Sequence, residues 1–275
     1  MSALPNTRPR LALHTWTLDT TPLDDVLRIA RATGWDAIEL RRVDFGRAAQ
    51  AGRTAADVEA LVRASGLAVA CIGVEPGWLF ADGTERQRLL DVFRASCRSA
   101  VALGCTTLMS AVDRGRGDVR RAATSLREAG DLAAAHGLRV AVEFNSQAEQ
   151  FNALEPMREA VSLAGHPGCG LLVDSYHLQR SGGHPRSLDS LGRDEIAYVQ
   201  FSDVPKSGLV PGAATDRLPP GKGAVPFTEF FAAVGAKGYD GYMSFEAPNP
   251  AAWARPPEDV AREALEATRA ALPRR

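Results

Sequence analysis

Arg139-Val140-Ala141-Val142-Glu143-Phe144 and, further along, Gly170-Leu171-Leu172-Val173-Asp174 are short aliphatic runs, each with a carboxylate at its end. Such runs, alternating with longer helical patterns, read as strands of a parallel sheet covered by helices. The pattern extends in both directions. Toward the N-terminus the runs are Leu11 to Leu18, Ala37 to Arg41, Ala68 to Val74 and Thr106 to Val112; toward the C-terminus they are Ile196 to Ser202 and Gly241 to Glu246. Amphipathic segments at Pro22–Thr33, Thr54–Ser65, Thr84–Leu103, Asp118–His136 and Phe227–Gly235 carry apolar residues at three- and four-residue steps. Gly34, Gly66, Gly104, Gly137 and Gly238 each stand just before the next strand, where a left-handed residue lets a helix end and the chain turn back. Thr21-Pro22 and Pro257-Glu258-Asp259 are helix starts. Eight strand–helix units are the number that closes a ring, so the sequence predicts an α/β fold, a single (β/α)₈ TIM barrel, as one domain over residues 1–275. A doubly wound open sheet is the alternative, but no GxGxxG turn follows the first strand.

With 275 residues, 45% hydrophobic and 24% charged, the chain can bury a large core without staples. A net charge of −1 gives no electrostatic reason to expect nucleic acid or an anionic membrane as a partner. Cys71, Cys97, Cys105 and Cys169 have no CxxC spacing and fall in apolar segments, which predicts buried thiols in a reducing compartment. Met1 to Arg10 has no apolar leader core, and no stretch is long enough to span a bilayer, so the expected location is the cytoplasm.

In a parallel barrel all strand C-termini open on one face, and polar residues there converge although they are distant in sequence. The last four strands end in or near Glu143, Asp174, Gln200 and Glu246. Three carboxylates at an apolar mouth repel and raise one another's pKa unless a cation neutralises them, so a divalent metal is expected on these four residues. Oxygen donors favour Mn²⁺ or Mg²⁺, with Co²⁺ or Zn²⁺ as alternatives. The competing reading is that such acids cap helix N-termini or pair with arginine. Pro205 to Gly223, rich in Pro and Gly and without periodicity, is expected to be a binding loop after the seventh strand, with a disordered insertion as the alternative.

Val173-Asp174-Ser175-Tyr176-His177, Asp216-Arg217-Leu218-Pro219-Pro220-Gly221-Lys222-Gly223 and Ser244-Phe245-Glu246 resemble the corresponding pieces of the xylose isomerase-like barrels, the superfamily of sugar isomerases and epimerases that also includes endonuclease IV. The C-terminal half resembles inosose isomerases and related sugar-phosphate isomerase/epimerase-like proteins. In such proteins the metal sits on Glu, Asp, His and Glu, which maps onto Glu143, Asp174, Gln200 and Glu246; Gln200 departs from the pattern and should favour an oxygen-loving ion over zinc. The run Tyr198-Val199-Gln200-Phe201-Ser202-Asp203 resembles the Gln-containing strand of bacterial 3-dehydroshikimate dehydratases.

The resemblance implies a metal-dependent isomerase or epimerase of a ketose, keto-inositol or related sugar, working through a metal-stabilised enediolate with Glu143 and Glu246 as catalytic acid and base. A dehydratase of the 3-dehydroshikimate or inosose type is the alternative. The Asp-x-x-His spacing matches that of the family, and the resemblance thereby implies His177 as a candidate substrate contact; Arg217, Trp16 and Glu39 are candidates for the same role. His14, His136, His166 and His184 share no ligand spacing and read as structural or solvated. An endonuclease IV-type role is disfavoured by only five histidines and no basic surface, and a silent binding barrel is a further alternative. The expected partner is a small polyhydroxylated keto compound; a homodimer is suggested only by analogy with other barrels.

Overall fold

The computed structural model describes residues 8–273; the first seven, over which most of the leader reading falls, lie outside the described residues. Eight parallel strands close into a ring in sequential order: β1 (Arg10–His14), β2 (Ala37–Leu40), β3 (Ala68–Gly73), β4 (Thr107–Ala111), β5 (Arg139–Glu143), β6 (Cys169–Asp174), β7 (Ile196–Phe201) and β8 (Tyr242–Phe245). Around them lie α1 (Leu23–Thr33), α2 (Arg42–Gln50), α3 (Ala55–Ser65), α4 (Gly83–Ala102), α5 (Val119–Ala134), α6 (Leu154–Ala164), α7 (Ser175–Arg180), α8 (Phe227–Ala236), α9 (Pro250–Trp253) and α10 (Pro257–Ala271). The expected barrel is therefore the observed one. Its first strand is shorter than the apolar run suggested: Thr15–Leu18 turns into a 3₁₀ helix capped by the His14 side chain. All four cysteines are buried and free. Among the described residues no helix is long and apolar enough to cross a membrane.

Side-chain parity organises the interior. Successive strand residues face opposite sides of the sheet. Leu11, Leu13, Ile38, Val140, Val142, Leu171, Val173 and Val199 join the large apolar cluster packed under the helices. Ala12, Ala37, Cys71, Met109, Ala141, Leu172 and Tyr198 form a separate, smaller cluster of the opposite parity. That second cluster lies inside the ring: Tyr198 on β7 reaches Glu39 on β2, although these strands are not neighbours. Two positions beyond Ala12, Ala37, Ala141, Leu172, Tyr198 and Ser244 come His14, Glu39, Glu143, Asp174, Gln200 and Glu246. The same alternation that fills the barrel thus delivers six polar side chains to its C-terminal end.

The segment 205–223 is tied at its base rather than loosely inserted. Asp203 and Leu218 exchange backbone hydrogen bonds of 2.7 and 3.0 Å. The buried Asp203 carboxylate accepts the backbone N–H groups of Val204 (2.9 Å), Gly223 (2.7 Å) and Val225 (2.9 Å). Removing the acceptor strands three backbone donors, two of them buried, so Asp203→Ala is expected to cost about 3 kcal/mol in urea unfolding. An unchanged midpoint would show that this carboxylate does not secure the loop.

Candidate active site

At the C-terminal end of the ring a cavity of about 620 Å³ is lined by His14, Trp16, Glu143, His177, Arg217 and Glu246, with Arg41, Arg42 and Arg114 toward its edge. Glu143, Asp174 and His177 offer ligand atoms all within 4.8 Å of one another. Asp174 and Gln200 are paired in register across β6 and β7, and both are fully buried.

Arg217 sits among these groups, not at the edge. Its Nη1 lies 2.7 Å from Asp174 Oδ2 and 2.9 Å from Glu246 Oε2, with only 2% of the side chain exposed. Its guanidinium stacks 4.3 Å over the Tyr176 ring, whose hydroxyl donates to Asp216, and its carbonyl accepts from Asn249. The loop anchored by Asp203 therefore delivers a cation into the carboxylate cluster. Asp174 fulfils both bland expectations for a strand-end acid: it pairs with arginine, and its Oδ1 accepts the Tyr176 N–H at the start of α7.

One guanidinium does not neutralise three carboxylates. Burial, then the neighbouring Glu246 and Asp174, push Glu143 well above the ordinary carboxylate range. Asp174 is raised to about 6, mainly by burial, with Arg217 pulling the other way. The carboxylates of Glu246, Asp174 and Glu143 in turn hold Arg217 above its usual value against the effect of burial. Two oxygens of the expected ligand set, Glu143 Oε1 and Gln200 Oε1, are buried without a hydrogen-bond partner among the described residues. Orphaned buried oxygens beside surplus negative charge are what an oxygen-liganded cation would satisfy.

Glu39 departs from the sequence expectation of a substrate contact. It is completely buried beneath the cavity, where Oε1 accepts Gln200 Nε2–H at 2.8 Å and Oε2 accepts the Tyr198 hydroxyl at 3.1 Å. Burial raises its pKa to about 8. Arg41 does not pair with it, because its guanidinium is taken by Asp19 and Asp44. Trp16 stands in the cavity wall. His177 is buried, its Nε2 3.7 Å from Glu143 Oε1 and 3.1 Å from Arg217 Nη2, and its Nδ1 accepts the Ser146 N–H. Burial, with Arg217 and Arg180, keeps its pKa well below the usual imidazole value.

His14, read from sequence as structural or solvated, lines the cavity instead. The parity of β1 could have found it: it follows Ala12 on the inward face and pairs in register with Glu39.

Comparison with known proteins agrees with this fold. The profile of a family described as "Xylose isomerase-like TIM barrel" matches residues 27–271. A 3-dehydroshikimate dehydratase of Pseudomonas aeruginosa is 32% identical over 126 residues, 45% of this chain but only 20% of that protein, so the match spans about a fifth of the relative's length. An inosose isomerase of Bacillus velezensis is 21% identical over 93% of this chain and 94% of its own. Among solved structures, the IOLI protein with a bound zinc atom superposes with a TM-score of 0.86 at 19% identity, covering 95% of this chain and 97% of the other; this likeness concerns the fold.

Proposed function

The chain belongs to the xylose isomerase-like TIM-barrel family, and from that premise we propose that it is a divalent-metal-dependent lyase dehydrating a small cyclic hydroxyketone of the 3-dehydroshikimate class. Glu143, Asp174, Gln200 and Glu246 would hold the ion, Mn²⁺ or Mg²⁺ by donor hardness. The set fits a divalent charge: three carboxylates against Arg217 leave two negative charges. When bound, the ion supplies a Lewis acid that polarises the ketone and makes the adjacent C–H acidic.

The observation that carries the reading is the inequality of the two glutamates. Glu246 is engaged by Arg217 at 2.9 Å, so one of its oxygens is already committed to a cation. Glu143 has no arginine partner among the described residues and lines the cavity, so with one oxygen on the ion the other can exchange a proton with the substrate. A single carboxyl of that kind suits elimination. Glu143 takes the α-proton; the C–H electron pair becomes the new double bond as the β C–O bond breaks. The same carboxyl gives its proton to the departing hydroxyl, which leaves as water. His177, 3.7 Å from Glu143 Oε1, is placed to hold that hydroxyl. Arg42 and Arg114 line the cavity without a carboxylate partner among the described residues, and would receive the carboxylate that 3-dehydroshikimate carries and an inosose lacks. The 32% identity to a 3-dehydroshikimate dehydratase supports the same branch.

The second reading is the isomerase or epimerase that the sequence placed first. It is favoured by the end-to-end match to an inosose isomerase and by Glu246 as a second acid–base group. Metal analysis followed by a substrate panel separates the two. The expected result is enone or aromatic ultraviolet absorbance on mixing with 3-dehydroshikimate, abolished by chelation and restored by Mn²⁺ or Mg²⁺. Conversion of a keto-inositol or ketose without new absorbance would transfer the assignment to the isomerase; no turnover of any panel member would remove both.

A further inference from the structure

His14 has a fixed tautomer. Its Nδ1 accepts the backbone N–H of Trp16 at 3.0 Å, the contact that caps the 3₁₀ turn after β1. A backbone amide can only donate, so in the neutral ring the proton sits on Nε2. Nε2 lies 3.4 Å from Glu246 Oε1 and 3.7 Å from Glu39 Oε1. Glu39 in turn receives Gln200 Nε2–H, which leaves the Gln200 carbonyl oxygen as the free end of that amide. A row of polar side chains, at hydrogen-bond distance or slightly beyond it, thus crosses the ring from β7 through β2 and β1 to Glu246.

We propose that His14 is a positioning residue for the metal centre, its Nε2–H holding the Glu246 carboxylate and linking it through Glu39 to the Gln200 amide. The assignment rests on the metal-centred reading given above, but the tautomer can be tested without it. The ring is 3% exposed. Partners of this kind set ligand direction, and their removal typically lowers metal affinity about 10–100-fold.

The experiment combines Mn²⁺ titration calorimetry on His14→Leu and His14→Gln with long-range ¹H–¹⁵N spectra of the wild-type imidazoles. Expected are a roughly 10–100-fold weaker Mn²⁺ Kd for His14→Leu and a partial recovery in His14→Gln, whose amide N–H can replace the donor. The melting temperature of the ion-free His14→Leu protein should not fall in proportion, as it would for a residue that only packs. The spectra should show an Nε2–H tautomer for His14 whose resonances move in Glu246→Gln. An Nδ1–H tautomer, insensitivity to Glu246→Gln, or wild-type affinity in His14→Leu overturns the proposal. Failure of the wild-type protein to take up Mn²⁺ counts against the metal reading alone, and the imidazole spectra then decide the His14 assignment.

Discussion

Glu143→Gln is expected to abolish most turnover, by roughly 10²–10⁴-fold, because an amide of the same shape can neither accept the α-proton nor return it to the leaving group. The same substitution should stabilise the ion-free protein at neutral pH. Glu143 has a folded-state pKa raised above its ordinary 4.5, chiefly by burial. Below 4.5 both states are protonated and the group is neutral in its effect. As pH rises above 4.5 the unfolded chain ionises first, so folding loses stability through this residue until the folded carboxyl also titrates. Glu143→Gln removes that loss. Thermal unfolding at pH 4.5 and pH 7.5 after chelation should show the variant gaining on the wild type at the higher pH. A variant that gains nothing would mean that Glu143 is not a strained, uncompensated carboxyl.

Arg217→Leu should have the largest structural effect. The guanidinium is the only arginine or lysine group within 4 Å of Asp174 and Glu246 among the described residues. Deleting one partner of a buried ion pair leaves uncompensated charge and typically costs about 3–5 kcal/mol. Stability measured in chelator should therefore collapse, while saturating Mn²⁺ should recover a larger share than it contributes to the wild type, because the ion then faces three unpaired carboxylates. Equal Mn²⁺ stabilisation of both proteins would show that the guanidinium and the ion do not act on the same charges.

The strands, and with them Glu143, Asp174, Gln200 and Glu246, were legible because apolar runs are a local signal and barrel topology turns run ends into one surface. His177 was legible through its spacing from Asp174. The role of Glu39 was not, since its partners Tyr198 and Gln200 are on a strand across the ring, more than 150 residues away. Reading β1 as continuing to Leu18 hid His14, which then looked like a mid-strand residue and not the last inward one. Arg217 was recognised as functional, but its depth could not be read: it depends on the path of an aperiodic loop, fixed by the three backbone donors gathered on Asp203. The helix α2 escaped because Gly46 and the polar run around it blur the helical period.

Pairing of β1 with β8 places Leu13 opposite Phe245 and brings residues from the two ends of the sequence into one register. Nascent strands β2 to β7 can assemble as an open sheet in which His14 and Glu246 are strangers. Only when that seam shuts does His14 come within 3.4 Å of Glu246, so this contact belongs to the most non-local pairing of the ring.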